Sequence, residues 1–287
     1  AADNAAPNKA ATNLTDNASP IVVAVESIDS NTDGNVDAIE IQFSENVVDA
    51  DFDAAAIADW LVSDDNFVTT DVISAFSSTV TTIASDADAN DQYVRLSFTP
   101  SAVTGTGVIK YNYTYNSTDS INDGASNDLA SITSTAATDS AAPQISTMVY
   151  QDSNTNGDVD RITVTYSENV TLDEYDAADW IFVNGTVDNL NVTEESAAVV
   201  ANGNTIRLTV NWLDNVTGET GTEPTLQYVQ AGGTANSVHD AADNAAPNKA
   251  ATNLTDNASP IVVAVESIDS NTDGNVDAIE IQFSENV

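Results

Sequence analysis

The 287 residues carry 45 Asp and Glu against 6 Lys and Arg, a formal net charge of −39 at pH 7, and 41% are hydrophobic. A chain this acidic repels nucleic acid and anionic membrane surfaces, which are bound by clustered Lys and Arg, yet it has enough apolar residues for packed cores rather than disorder. So many carboxylates suit hard cations, calcium above all; a generic acidic surface is the alternative, and the spacing of the carboxylates has to separate the two.

There is no Cys, so an extracellular protein of this sequence needs a staple other than disulfides. No apolar run approaches the ~20 residues of a membrane-spanning helix. The sequence opens on Ala1-Ala-Asp-Asn without a signal peptide, and a mature or internal segment is expected. The length predicts two domains or slightly more.

In chain order, residues 1–18 are the first part of a repeat. Residues 241–287 match residues 1–47 letter for letter, so the period is 240 residues. A second, diverged repeat lies inside it. Pro20-IVVAVESIDSNTDGNVDAIEIQFSENV resembles Pro143-QISTMVYQDSNTNGDVDRITVTYSENV, and later segments match in the same order. The expected organisation is therefore the tail of a preceding B unit at 1–18, unit A at 19–141, unit B at 142–258 and the start of the next A unit at 259–287. Each junction reads Ser-Pro or Ala-Pro after small polar residues, a usual linker or strand-entry signal.

Within unit A, Ile39, Ile41 and Phe43 alternate with Glu40 and Gln42, and Tyr93–Phe98 is two-periodic. Unit B repeats both patterns at Arg161–Tyr166 and Thr205–Val210. Such runs are half-buried strands separated by Asn/Asp/Gly turns. Two stretches, DADFDAAAIADWL and LDEYDAADWI, read as one or two helical turns in crossing loops. Trp60 and Trp180 within them read as packing residues. About seven short strands per unit predict an all-β fold, tandem immunoglobulin-like β-sandwiches with short helical turns in the crossing loops.

The turn Asp29-Ser-Asn31-Thr-Asp33-Gly34-Asn35-Val-Asp37 places oxygen side chains at positions 1, 3, 5 and 9, with Gly at 6. That is the spacing of a calcium loop, in which alternate residues of a tight turn point inward and Gly permits the bend. Asn35 would give its carbonyl. The set recurs at Asp269, Asn271, Asp273, Asn275 and Asp277, and in unit B at Asp152, Asn154, Asn156, Asp158 and Asp160. Strands rather than helices flank the turn. Glu40 stands at position 12 but inside a strand, so the shell would be completed by Glu45 and Glu168 of the repeated Ser-Glu-Asn, or by the next unit. A plain polar hairpin turn is the other reading. A second constellation, Asp123, Asn127 and Asp128 with Asp240, Asp243 and Asn244, reads either as a junctional calcium site or as loops of Asx-turns.

Asn-x-Ser/Thr sequons at Asn13, Asn17, Asn112, Asn116, Asn169, Asn184, Asn191, Asn215, Asn253 and Asn257 make glycans possible partners. His239 is the only histidine, so no His-based triad or zinc cluster can form within one chain, and a non-enzyme is expected.

The string DSNTDGNVDAIEIQFSENV, followed by INDGASNDLA or VHDAADNAAP, resembles the Ig-like domains of prokaryotic S-layer proteins and large repetitive extracellular adhesins. That resemblance spans both units and implies a secreted, cell-surface, often calcium-dependent architecture. The expected function is a calcium-stabilised structural protein of a surface layer or filament, self-associating through its repeats. The alternative is the stalk of an adhesin that presents a distal binding domain.

Overall fold

The computed structural model describes residues 14–99, 109–172, 177–183, 191–194, 203–211, 224–230 and 238–287. The sequons at Asn13, Asn184 and Asn215, most of the 1–18 tail and residues 173–176 of the second crossing stretch lie outside them. The fold is all-β. Helix among the described residues is confined to single 3-10 turns at Asp49–Asp51, Ile57–Asp59 and Ala177–Asp179. The crossing stretches thus tighten more than their Ala content suggests. In the first of them, Asp53 Oδ1 accepts the amides of Ala55 and Ala56, and Trp60 is drawn into the core as the next strand begins.

The chain forms two compact units. The first is built from described residues within 1–26, 39–99 and 110–137, the second from those within 27–38, 109 and 138–287. Most of β1 (Val22–Ile28) belongs to the first unit, together with β2 (Ala38–Phe43), β3 (Trp60–Ser63), β4 (Asp71–Ser77), β5 (Tyr93–Phe98), β6 (Lys110–Tyr113) and β7 (Ile132–Ala136). Their order is β7-β6-β3-β4-β5-β2-β1. Strand β4 pairs with β3 at its start (Leu61 opposite Val72) and with β5 further on (Ile73 opposite Phe98), so one strand serves both layers of the sandwich. The two-residue periodicity of β2 points Ile39, Ile41 and Phe43 into the core, all fully buried. Each such side chain is worth roughly 1.5–3 kcal/mol of burial. Trp60 lies 4.8 Å from Tyr113 between ring centroids, which confirms Trp60 as core packing.

Alternation carries Glu40, on the other face of β2, into a second buried setting. Its Oε1 accepts from the Thr81 amide (2.8 Å) and from Arg95 Nε (3.0 Å), and its Oε2 from the amides of Thr82 (2.7 Å) and Ile83 (3.1 Å). Glu40 therefore serves the core of the first unit.

In the second unit β8 (Thr138–Asp139) lies beside the end of β1, where the Ser140 amide donates to Ser27 O at 3.2 Å. The unit continues with β9 (Ile145–Gln151), β10 (Arg161–Tyr166), β11 (Thr171–Leu172), β12 (Trp180–Val183), β13 (Asn191–Glu194), β14 (Thr205–Asn211), β15 (Thr225–Tyr228), β16 (Val238–His239), β17 (Lys249–Asn253) and β18 (Thr255–Asp256). Sheets of order β13-β14-β10-β9-β18 and β12-β15-β17 enclose a core that includes Trp180, Phe182, Tyr166 and Tyr228. The orders β4-β5-β2-β1 and β3-β6-β7 recur here strand for strand. The sandwich is not wholly antiparallel, because β18 runs parallel to β9. A last hairpin, β19 (Val262–Ile268) with β20 (Ala278–Phe283), repeats the sequence of β1 and β2. It forms a two-stranded sheet of its own, and Ile281 is 50% exposed where Ile41 is 0%.

Candidate metal centre

The three turns share one conformation. Asp29 accepts the amides of Asp33 (3.2 Å) and Gly34 (2.8 Å), and Asn31 Oδ1 accepts that of Asp33 (2.9 Å). Asp33 Oδ1 accepts from the Asn35 amide (2.9 Å), and Asp37 accepts from the Ser30 amide (2.9 Å) and hydroxyl (2.8 Å). Unit B repeats this. Asp152 takes Asn156 and Gly157, Asn154 takes Asn156, Asn156 Oδ1 takes the Asp158 amide at 3.0 Å, and Asp160 takes Ser153. So do Asp269, Asn271, Asp273 and Asp277 in the third turn, where Asp273 Oδ1 accepts from Asn275. A φ of +93°, +94° and +87° at Gly34, Gly157 and Gly274 closes each bend. The Asn35 side chain, more than any other group, holds the Asp33 carboxyl below its usual range. These turns are lattices of Asx-turns whose side-chain oxygens are met by amides of the same turn.

Glu45 and Glu168 belong to groups of their own, although a Cβ on Gly34 of the first turn would lie 2.9 Å from Ser167, the neighbour of Glu168. Each follows its strand in the Ser-Glu-Asn segment, and each meets two aspartates from distant parts of the sequence. Asp16, Glu45 and Asp123 form one group, and Asp139, Glu168 and Asp240 the other. In each, one carboxylate oxygen per residue lies within 4.8 Å of the other two. The first group lies wholly in the first unit and the second wholly in the second.

The elements that gather these carboxylates correspond. Asp16 and Asp139 both come from the Thr-Asp-x-Ala-x-Pro junction. The loop aspartate is brought to the glutamate by a short bridge, Val47 opposite Asp123 in one unit, and by β11 against β16, Thr171 opposite His239, in the other. The loop aspartates are locked alike. Asp123 Oδ1 accepts the amides of Ala125 and Asn127 (both 2.8 Å) and its Oδ2 the Asn127 side-chain amide (2.8 Å). Asp240 does the same with Ala242 (2.7 Å), Asn244 (2.9 Å) and the Asn244 side chain (2.8 Å). Thus Asn127 and Asn244 donate side-chain hydrogen bonds that orient an aspartate. Asp128 turns away to the hydroxyls of Ser120 and Tyr115.

Three carboxylates at this range repel one another. Burial, then the charges of Asp139 and Asp240, push Glu168 up to about 8, and burial with Asp240 pushes Asp139 up to about 6. Glu45 is raised by burial and by Asp16 and Asp123. Asp123 is held down by the Asn127 amide. Glu285, the counterpart of Glu45 in the last repeat, is raised by burial and by Asp256, the counterpart of Asp16. A divalent cation relieves such repulsion, and three hard oxygens leave room for the carbonyl and water ligands that calcium takes to reach six to eight.

The sequence offered Glu45 and Glu168, or the next unit, to complete the turns; the structure groups each glutamate with two aspartates that the sequence did not associate with it. Their partners are separated by up to 107 residues, and the signal lay in the three short segments that recur together: Thr-Asp before the Pro, Ser-Glu-Asn, and Asp-x-x-x-Asn.

No family model matches the sequence, and comparison with curated proteins finds no similar one. Solved structures resembling the fold include the N-terminal part of the bacterial S-layer protein SbsC (TM-score 0.30, 13% identity, 83% of this chain and 44% of that one). They also include the S-layer protein rSbsC (0.28, 11%, 88% and 28%) and domains 1–6 of surface layer protein SbsC (0.28, 12%, 93% and 32%). The chain spans less than half the length of each. Likeness at this level carries no functional argument. Among the described residues, no helix is long and apolar enough to cross a membrane.

Proposed function

We propose that this chain is a structural segment of an extracellular, cell-surface assembly, a surface layer or filament, whose repeated sandwiches are stapled by calcium and associate with further copies. The observation that carries the reading is the recurrence of one three-carboxylate cluster, built from corresponding segments, in both units. A single acidic cluster is common on a chain of net charge −39. Two with the same parts, each orienting its aspartate through an Asn four residues on, are better accounted for by a shared ligand.

Asp16, Glu45 and Asp123 hold one ion, and Asp139, Glu168 and Asp240 the other. The turns at 29–37, 152–160 and 269–277 are shaped by their own amides. Each ion ties the Thr-Asp junction segment to the Ser-Glu-Asn turn and the late loop, a staple in a chain without Cys. At a Kd of roughly 0.1–1 mM, typical of extracellular modules, ~10 mM calcium adds about 1.4–2.7 kcal/mol per site.

The test is a calcium titration of the whole chain that reads thermal stability and particle size together. Stabilisation with growth into ordered assemblies supports the scaffold. Stabilisation of a particle that stays monomeric moves the assignment to the stalk of an adhesin. No change in either up to ~10 mM calcium overturns the metal reading.

A further inference from the structure

The turn that closes each repeat's first hairpin is shaped by its own amides, and its role lies in what it rests on. Residues 27–38 pack within the second unit. There the strand end before the turn and the glycine inside it each meet a segment that carries a ligand of the Asp139, Glu168 and Asp240 cluster. Ser27 O accepts the Ser140 amide at 3.2 Å and Ser27 Oγ donates to Thr138 O at 3.4 Å, on either side of Asp139. A Cβ added to Gly34 would lie 2.9 Å from Ser167 Cβ and 3.5 Å from Gln144 Cβ, so the turn is pressed against the residue before Glu168. Ser167 is itself pinned, since its amide donates to Gln144 O at 2.8 Å and its Oγ accepts the Gln144 amide at 2.9 Å. The third ligand is tied to the first, because Asn244 Nδ2 donates to Asp240 Oδ2 (2.8 Å) and to Asp139 O (3.1 Å).

The same bracing recurs one repeat later. Tyr150, the counterpart of Ser27, accepts the Asn257 amide at its carbonyl (3.2 Å), next to Asp256. A Cβ added to Gly157 would lie 3.3 Å from Ser284 Cβ and 3.2 Å from Ile261 Cδ1, and Ser284 precedes Glu285. The Ile261 amide donates to Ser284 Oγ at 3.0 Å, as that of Gln144 does to Ser167. Gly34, Gly157, Val36 and Val159 are all buried. Twice, then, a turn is braced on the Asp-bearing and Glu-bearing segments that follow it in the sequence, while none of its own carboxylates belongs to a cluster.

We propose that seating of the turn 29–37 and cation binding at Asp139, Glu168 and Asp240 are coupled, so that the ion tightens the turn on its seat and the seated turn preorganises the site. This rests on the calcium reading above and names what that ion regulates. Without an ion, three carboxylates within 4.8 Å of one another push apart the segments that carry them. Those segments are the floor under Ser27 and Gly34. An ion draws them together and holds the floor in the shape the turn fits, and by linkage the turn favours the ion by the same factor.

The first test is calorimetry with calcium on the full chain carrying Glu45→Gln, which leaves the second cluster to be read alone, with Gly34→Asn or Gly274→Asn added. Asn tolerates positive φ better than other side chains, so Gly34→Asn unseats the turn through its Cβ, and Gly274→Asn, with nothing within 4 Å, controls for the backbone. Gly34→Asn is expected to weaken calcium binding at least about fivefold, and Gly274→Asn to leave it unchanged. The reciprocal effect needs no variant of the turn and is read by hydrogen exchange. Calcium at ~10 mM should slow the amides of Gly34 and Asp37, bonded to Asp29 Oδ2 and Ile28 O, at least about fivefold in the wild type and not in Glu168→Gln. The Gly274 and Asp277 amides, in a turn of identical sequence, should not respond. A Gly34→Asn chain that binds calcium as tightly as its parent overturns the coupling and leaves the calcium reading standing. So does exchange at Gly34 that ignores calcium, or that slows no more than exchange at Gly274. A parent chain that binds no calcium ends both.

Discussion

Glu168 is the residue at which the account is most exposed to measurement. An unfolded glutamate titrates near 4.5, and this one is held at about 8 by burial and two neighbouring aspartates. A raised carboxyl binds its proton more tightly in the folded chain, so its contribution to stability is fully present below ~4.5 and is lost as pH rises through about 8. Without metal, the second unit should therefore lose stability between pH 5 and 8, and Glu168→Gln should flatten that slope. With calcium the wild type should hold its stability at pH 8, and Glu168→Gln should bind calcium about tenfold more weakly. A metal-free wild type that gains stability over that range would contradict the assignment. Asn244→Ala tests the support of the cluster: it leaves three carboxylates but removes the side-chain donor to Asp240 Oδ2 (2.8 Å) and to the Asp139 carbonyl (3.1 Å), and about tenfold weaker calcium binding is expected, read by calorimetry.

Glu40 follows the opposite sign. Burial raises it, but Arg95 and the amides of Thr82, Ile83 and Thr81 outweigh that and bring it below the usual range. Its contribution is present above ~4.5 and is lost as pH falls through the lowered value. Arg95→Met strands this carboxylate and should destabilise the first unit by about 3–5 kcal/mol, seen in denaturant unfolding. A loss near zero would show that the amides alone hold the charge.

Among the elements, the hairpins offer a comparison at constant sequence. Strands β1–β2 and β19–β20 read alike, yet Ile39, Ile41 and Phe43 are buried and Ile279, Ile281 and Phe283 are exposed. The glycines grade similarly. Gly34→Ala, Gly157→Ala and Gly274→Ala all strain a positive φ, but only the first forces a Cβ against another Cβ at 2.9 Å, and at Gly157 the nearest atom is the flexible end of Ile261. The loss of stability should fall in that order, with Gly34→Ala about 1–3 kcal/mol beyond the strain alone.

This grading also marks what the sequence could reveal. Strand periodicity exposed the core of β2, β5, β10 and β14, because alternation is local. The turn was equally visible, since its oxygens recur every second residue, but spacing alone does not say whether those oxygens meet a cation or the turn's own amides. The clusters were hidden because Asp16, Glu45 and Asp123 meet only after the sandwich has closed. Tyr111 and Tyr113 of β6 are core, while Tyr115, past the end of the strand, is exposed.

For the whole molecule, the absence of Cys and a net charge of −39 set the problem that calcium would solve, since self-repulsion opposes the compact state and no disulfide restrains it. The most direct measurement is thermal unfolding of the whole chain with and without ~10 mM calcium, beside the Glu45→Gln/Glu168→Gln double variant. The account predicts that calcium stabilises the wild type by about 1.4–2.7 kcal/mol per site, a shift of roughly 2–4 °C for each kcal/mol, and that the double variant loses most of it. A wild type indifferent to calcium, or a double variant stabilised as much as the wild type, would contradict it.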